Sequence, residues 1–299
     1  MSDTEAVIEV DDLRDALGWR TVVAAYLSMP FDVSRPRSLI SPEHAARVAD
    51  EVRGLPSKFR TFRVSAAGSD SDDMLRWRAA IADATGLVDD ENDAELLIRL
   101  RKAEGGGWEV LLRLTPRPLA TRPWRTERYE GGLNATIAAA VVRATHPSPH
   151  DRFVDLMCGS GTLIIERLAV GRPALCVGYD ISTDAIAITK THLRNAAIRG
   201  AKVELHNADV LAAEGRFDKL VVNLPWGTSV GSHAENETLY PGALAAGARL
   251  AAPDATFCVL THEIRVFEAA LAAQREWSLV DEHRIFQKGH WPRLYVLRP

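Results

Sequence analysis

The chain has 299 residues, of which 46% are hydrophobic and 25% charged, and a net charge of −4 from 36 basic and 40 acidic side chains. That length accommodates two domains, and that composition excludes a disordered or fibrous chain. The charge excludes a uniformly basic surface of the kind that wraps nucleic acid. The N-terminus, MSDTEAVIEVDDLRD, is acidic and has no apolar core segment, so no signal peptide is expected. Residues 19–28 form a short apolar run that reads as a strand. Residues 42–52 read as a helix, with Ser41 as N-cap and Glu43 in its first turn. Residues 59–65 alternate apolar and polar as a half-buried strand, and 73–85 form a helix closed by Gly86. Residues 95–101 and 108–114 read as a hairpin around Gly105, Gly106 and Gly107.

A connector follows. Residues 1–115 carry 15 basic and 21 acidic side chains, 116–150 carry 5 and 2, and 151–299 carry 16 and 17. The basic stretch, TPRPLATRPWRTERYEGG, holds Arg117, Arg122, Arg125 and Arg128 with Trp124 and Tyr129 between them, and its prolines and paired glycines mark a linker. Downstream, helices and strands alternate: helix 133–144, strand 152–156, helix 162–169, strand 174–179, helix 184–199, and strands 202–206, 217–222 and 256–260. Such alternation implies a parallel sheet covered on both faces. Residues 277–287 and 291–298 read as an antiparallel hairpin at a sheet edge. No apolar run reaches membrane-spanning length. Cys158, Cys176 and Cys258 form no CxxC pair, so neither a disulfide framework nor a metal site is expected, and the cytoplasm is the simplest compartment.

The chemistry is concentrated at strand ends. In FVDLMCGSGTLIIE a strand ends at Asp155, Gly159 and Gly161 make a turn, and Thr162 opens a helix. Glycine lets backbone approach a ligand closely, at the edge where ligands of open α/β sheets bind. A dinucleotide site would show GxGxxG, but Ile164 stands at the third glycine and Asp155 would face a pyrophosphate. A cationic ligand without phosphate suits that carboxylate, and S-adenosylmethionine is one. Asp180 ends the next strand, where a carboxylate accepts both ribose hydroxyls. Asp209 follows the third, within reach of the adenine amine, with the Val210 N–H beside it. Cys158, Ser160, Thr162 and Ile181 flank these positions and complete the cofactor-binding set. Cys158 reads as a packing residue rather than a nucleophile.

The fourth strand ends at Asn223, followed by Leu224, Pro225 and Trp226. An Asn–x–Pro–aromatic turn suits methyl transfer to an amino group on a planar ring. The Asn223 oxygen and the Leu224 carbonyl accept its two N–H groups, and Trp226 stacks on the base for about 1–3 kcal/mol. His262 and Arg265 follow the fifth strand and serve either substrate contact or the helix start. The polar segment 229–237 is expected as a loop shaping the entrance.

These pieces carry a resemblance. GGLNATIAAAVV, DLMCGSGTLIIE, GYDIS, NADV, NLPWG, THEIRVFEAAL and GHWPRLYVLR make residues 150–299 resemble class I S-adenosylmethionine-dependent methyltransferases. More narrowly they resemble RNA guanosine-N2 methyltransferases that carry a THUMP domain. That family's usual fourth motif is Asn/Asp–Pro–Pro–Tyr/Phe; Leu224 replaces the first proline and Trp226 the aromatic. The resemblance implies an α/β fold with a Rossmann-like, mostly parallel seven-stranded sheet and an antiparallel C-terminal hairpin, behind a smaller α+β region. The division it implies is a small region 1–58, a THUMP-like RNA-binding domain 59–115, an Arg-rich connector 116–131 and a methyltransferase domain 132–299.

It also implies an RNA partner, tRNA before rRNA, for a monomer that uses neither metal nor membrane. Asn134 and Thr136 open the helix that borders the cofactor, although N-capping accounts for Asn134 equally well. Arg122, Arg125 and Arg128 with Trp124 either contact RNA or tie the connector to the catalytic domain; in the first case a small phosphate footprint is centred on 116–150. A DNA or protein amino-methyltransferase and a non-catalytic RNA-binding adaptor are the alternatives.

Overall fold

Polar and apolar residues alternate through the first third of the chain, and strands and helices form where that patterning predicts them. A computed structural model describes residues 5–226, 233–287 and 289–299. The chain divides into two compact units, Met1–Thr121 and Arg122–Pro299. The first contains β1 (Tyr26–Phe31), α1 (Pro42–Gly54), β2 (Thr61–Ser65), α2 (Asp72–Thr85), β3 (Val88–Asp89), β4 (Leu96–Lys102) and β5 (Trp108–Arg113). Its sheet has the order β1-β5-β4-β2-β3. Ser41 and Ser71 cap α1 and α2, accepting from the backbone N–H of His44 and Met74. Gly86 ends α2 at a φ of 74°. The apolar residues Phe62, Ile98, Leu112 and Met29 of the strands and Val48, Trp77 and Ile81 of the helices are buried together in one core.

Two expectations change in this unit. The first strand lies at Tyr26–Phe31, not across 19–28, because its register is set by pairing Phe31 with Trp108 and Tyr26 with Arg113. Its Pro30 is tolerated because β1 is an edge strand. Residues 1–58 and 59–115 do not form separate sheets: β1 from the former pairs with β5 from the latter. The connector is also shared between the units. Ala120 N–H donates to the Val23 carbonyl in the first, whereas Arg122 and Arg125 bond within the second.

The second unit contains α3 (Ala135–Ala144), β6 (Arg152–Asp155), α4 (Thr162–Val170), β7 (Leu175–Asp180), α5 (Thr183–Asn195), β8 (Val203–Asn207), β9 (Phe217–Asn223), α6 (His233–Leu250), β10 (Ala251–Thr261), α7 (Ile264–Ala272), β11 (Ser278–Arg284) and β12 (Arg293–Arg298). The seven strands take the order β11-β12-β10-β9-β6-β7-β8. Strands β10, β9, β6, β7 and β8 are parallel, and β12 and β11 add antiparallel, as the hairpin pattern predicts. Successive residues alternate between two cores. Val154, Val177, Val222 and Val259 join Tyr240, Leu244 and Phe267 of α6 and α7 on one face. Phe153, Cys176, Val221 and Cys258 join Val141, Ile164 and Ile186 of α3, α4 and α5 on the other. A sheet covered on both faces is apolar at every position, which explains why its strands read as unbroken apolar runs. Helix α5 stops at Asn195, earlier than expected, because Ala197 already takes a left-handed φ of 51°.

The middle of α4 carries two buried charges. Glu166 accepts from Arg122 at 2.9 and 3.3 Å, and Arg167 donates to the Gly171 and Ser148 carbonyls and to Asp151. Removing one partner of a buried pair leaves an uncompensated charge, at a cost of about 3–5 kcal/mol. Glu166→Ala is therefore expected to lower stability by about that amount in urea unfolding, while Asp50→Ala, which breaks an exposed pair with Arg53, changes it by less than about 1 kcal/mol.

Candidate active site

Strand order creates the site. From β6 the chain runs outward to β7 and β8, then returns to β9 on the other side of β6. Connections diverge between β6 and β9, and such a switch point leaves a crevice beyond the carboxyl ends of the strands. Asn223 ends β9, Asp155 ends β6, Asp180 ends β7, and Asp209 follows β8. The four stand on four successive neighbouring strands, as the sequence predicts.

The glycine turn between β6 and α4 requires its glycines. Gly159 and Gly161 take φ values of 52° and 77°. A Cβ on Gly161 would lie 2.7 Å from the Thr189 methyl, and one on Gly159 would lie 3.1 Å from the Tyr129 ring. Gly159 N–H donates to Asp180 Oδ2 at 2.8 Å, and Thr189 Oγ1 donates to the Gly159 carbonyl at 2.7 Å. The turn is thus fastened to both β7 and α5.

Asp155 is completely buried. Its Oδ1 accepts from Met157 N–H at 3.3 Å, and its Oδ2 has no hydrogen-bond partner among the described residues. Burial pushes this carboxyl up to about 8; the Met157 N–H opposes that shift and the Asp180 charge adds to it. Asp180 is half-buried and accepts from Gly159 and, through Oδ1, from Ser182 N–H at 2.9 Å. A carboxylate has about four lone-pair positions, so it retains acceptor capacity for hydroxyls. Ile181 beside it is 76% exposed, an apolar surface at the rim of the crevice. Asp209 is exposed and accepts from Leu211 N–H at 2.8 Å, while the Val210 side chain is buried. Cys158 is buried, and burial pushes its thiol far up, in keeping with packing rather than chemistry.

Four residues expected at the cofactor are engaged elsewhere. Ser160 is buried, and its carbonyl accepts from His192 Nδ1 at 2.9 Å. Thr162 Oγ1 accepts from Arg125 at 2.7 Å. Asn134 Oδ1 accepts from both the N–H and the hydroxyl of Thr136, at 2.8 and 2.7 Å, so these two residues cap α3.

At the acceptor turn, Asn223 Oδ1 is buried and has no hydrogen-bond partner among the described residues. Leu224 N–H donates to the Leu260 carbonyl at 3.0 Å, which anchors the turn to β10. The Pro225 carbonyl accepts from Tyr240 Oη at 2.7 Å and Asn236 Nδ2 at 3.1 Å. Trp226 stacks on His262 with centroids 5.6 Å apart and meets His290 at 6.3 Å. His262 therefore acts on the Trp226 ring, while Arg265 stands exposed in the first turn of α7. Asn236 and Tyr240 were not foreseen, although their spacing of four places both on one face of the helix that follows the turn. Of the segment 229–237, residues 229–232 lie outside the described residues, as does Gly227, and 233–237 open α6 rather than forming a loop.

The arginine-rich segment is a tether, which corrects the RNA-contact expectation for three of its four residues. Arg122 is buried against Glu166. Arg125 donates to the Leu133 carbonyl and Thr162, and burial lowers its pKa. Trp124 is buried against the His192 ring, with centroids 5.3 Å apart. His192 completes the tether: its Nδ1 faces the Ser160 carbonyl and its Nε2 accepts from Glu127 N–H, which fixes the orientation of the ring. Arg128 alone of the four is exposed. Tyr129, also missed, lies against Gly159 next to Asp180; burial, then the Asp180 charge, raises its pKa. Nothing in the sequence marked Tyr129 or His192 beyond their types. Among the described residues, no cluster of three or more His, Cys, Asp or Glu side chains is placed to hold a metal, and no helix is long and apolar enough to cross a membrane.

The raised carboxyl of Asp155 has a stability consequence. Between about pH 4 and pH 8 the folded chain holds a proton there that the unfolded chain has lost, so stability falls as pH rises through that window. Asp155→Asn is expected to remove this slope, so that melting temperatures of variant and wild type diverge in favour of the variant from pH 5 to pH 8. Parallel curves would show that Asp155 is not protonated in the fold.

The comparisons with known proteins agree with this architecture. Residues 122–293 match the family UPF0020, described as RMKL-like, methyltransferase domain. A human protein named tRNA (guanine(6)-N(2))-methyltransferase THUMP3 is 29% identical over 180 residues, covering 55% of this chain and 36% of that protein. An Archaeoglobus fulgidus protein named tRNA (guanine(6)-N2)-methyltransferase is 26% identical over 173 residues, covering 50% of this chain and 44% of that one. The matched region is thus less than half the length of either relative. The crystal structure of TrmN from Thermus thermophilus shares the fold, with a TM-score of 0.76, 21% identity, and coverage of 98% of this chain and 88% of that one. On its own match over 122–293, the chain belongs to the UPF0020 family of RMKL-like methyltransferase domains.

Proposed function

We propose that the chain transfers a methyl group from S-adenosylmethionine to the N2 amine of a guanosine in RNA, with tRNA as the substrate class. The observation that carries this reading is the buried, unpartnered amide oxygen of Asn223 at the strand end adjoining the Asp155 glycine turn. The residues present fit that cofactor. Asp155 offers an unpartnered carboxyl oxygen to a cation, Gly159 and Gly161 keep the turn free of side chains, Asp180 retains acceptor capacity for hydroxyls, and exposed Ile181 offers an apolar surface. Asp209 and the Val210 backbone complete the set that would hold it. When bound, the cofactor supplies an electrophilic methyl group on a sulfonium.

The chain's own residues do the positioning. The Asn223 oxygen and the Leu224 carbonyl accept the two N–H groups of the amine, which turns its lone pair out of the ring plane. Trp226, steadied by His262, stacks on the base. Tyr240 and Asn236 hold the Pro225 carbonyl, so the turn is set before substrate arrives. The names of the human and archaeal relatives support guanosine N2 and tRNA. The first unit is read as a THUMP-like RNA-binding part, in a monomer acting on tRNA in the cytoplasm. Exposed Arg63 and Arg99 on adjacent strands of its sheet supply cations for that role.

Incubation of the purified chain with unmodified tRNA and S-adenosylmethionine, followed by nucleoside mass spectrometry, is expected to yield N2-methylguanosine. Asn223→Ala is expected to lower kcat about 10²-fold with cofactor affinity unchanged. A different methylated base, methylation of DNA or protein alone, or RNA binding without turnover would overturn the reading.

A further inference from the structure

The hairpin of β11 and β12 reaches the same edge of the sheet as Asn223. Arg293, at the start of β12, pairs with Thr261 at the end of β10, so the turn joining β11 to β12 stands beyond the carboxyl ends of the parallel strands. Its backbone is closed by paired hydrogen bonds. Gln287 and His290 exchange N–H···O bonds of 2.9 Å, and Ile285 N–H donates to the Pro292 carbonyl at 2.9 Å. His290 is bridged to Gln287, and Trp291, the residue after it, turns away from the contacts of His290 to meet the Phe286 ring. On one face His290 closes against His262, at 4.9 Å between centroids, and against Trp226.

The other face is bare. Phe286 is 57% exposed and Trp291 45% exposed, with ring centroids 4.9 Å apart. The Arg284 guanidinium carbon lies 4.2 Å over the Trp291 ring, and Arg284 has no carboxylate partner among the described residues. Its neighbour Arg293 pairs with both Glu268 and Glu282.

Two adjacent exposed rings, one of them carrying the Arg284 guanidinium over its face, form a surface on which an unpaired base stacks and beside which a phosphate is drawn. His290 of the same hairpin end also meets the ring of Trp226, the residue proposed to stack on the target base. We propose that this tip is a second nucleotide platform, where Phe286, Trp291 and Arg284 hold an unstacked nucleotide of the RNA strand flanking the target guanosine. The proposal rests on the RNA reading given above. A second copy of the chain is the competing occupant. Against it, edge strand β11 carries a register break between Leu279 and Asp281 and charged residues at 281–284, features that disfavour edge-to-edge pairing.

The test uses the full chain and a fluorescein-labelled single-stranded 12-mer of uridines with one central guanosine, read by anisotropy. Trp291→Ala and Phe286→Ala are each expected to weaken binding about tenfold, within the ~5- to 150-fold span that loss of one stacking contact produces, and Trp291→Phe to restore most of it. S-Adenosylmethionine affinity, measured by calorimetry, is expected to stay at the wild-type value and shows that the variants are folded. If the wild type binds the oligomer and methylates tRNA while both alanine variants bind it equally well, the platform is overturned and the RNA reading stands. If the wild type neither binds RNA nor methylates it, the RNA reading falls and the platform with it. If the substitutions turn a dimer into a monomer in size exclusion, the face is a subunit contact and the platform is overturned.

Discussion

The hydrogen bond from Gly159 N–H to the Asp180 carboxylate, 2.8 Å long, organises the candidate site. It joins the turn after β6 to the end of β7, so two of the three acids share one piece of backbone geometry. The bond forms only because Gly159 and Gly161 accept left-handed conformations and because no side chain on Gly161 pushes Thr189 away. Asp155 lies beneath this turn, out of contact with solvent, beside a second acid. A carboxyl in that position is a strained element of the folded chain, and a cation bound over the turn would relieve it. The burial that costs the fold stability at Asp155 is therefore also what favours a sulfonium ligand.

Buried charge performs a second task, attaching the N-terminal segment of the second unit. Arg122, Trp124, Arg125 and His192 pack against α4 and α5 through Glu166, Thr162 and the Ser160 carbonyl. The two arginines end on α4, the helix that the glycine turn opens, and Trp124 ends on His192 of α5, whose ring is bonded to the Ser160 carbonyl of the turn. The segment brings Tyr129 against Gly159, so its conformation and that of the cofactor turn are coupled by packing. Basic residues next to an active site invite a nucleic-acid reading, yet here Arg122 and Arg125 are consumed inside the fold. The surfaces proposed for RNA lie elsewhere, on exposed Arg63 and Arg99 of the first unit and on the aromatic tip of the C-terminal hairpin.

The acceptor turn follows the same economy of parts. Asn223 is placed by the sheet, the Pro225 carbonyl by two side chains of α6, and Trp226 by His262. Leu224, where relatives of this motif carry proline, is buried and keeps an N–H that donates to Leu260. A proline there would lack that bond, so the substitution adds an anchor to β10.

Local rules were enough to read the alternation of strands and helices, the capping serines, the antiparallel ending and the residues at the four strand ends, because period, cap and turn signals are properties of short segments. Asp155, Asp180 and Asn223 were legible for that reason, since each closes an apolar strand, and Asp209 because it follows β8 directly before a short helical turn. Burial is not a local property, and that is where the sequence stopped being informative. The same arginine reads as a phosphate ligand or a tether until Glu166, 44 residues away, is seen to accept its protons. Ser160, Thr162 and Thr136 sit at motif positions yet point into the fold, while Tyr129, Asn236 and Tyr240 reach the site from segments that carry no motif. The pairing of β1 with β5 likewise depends on distant residues, from Phe31 with Trp108 to Tyr26 with Arg113. What sequence alone determined about this protein is which residues stand at the edge of the sheet; tertiary structure alone decided which of them face the crevice, because only packing fixes where each polar atom finds its partner.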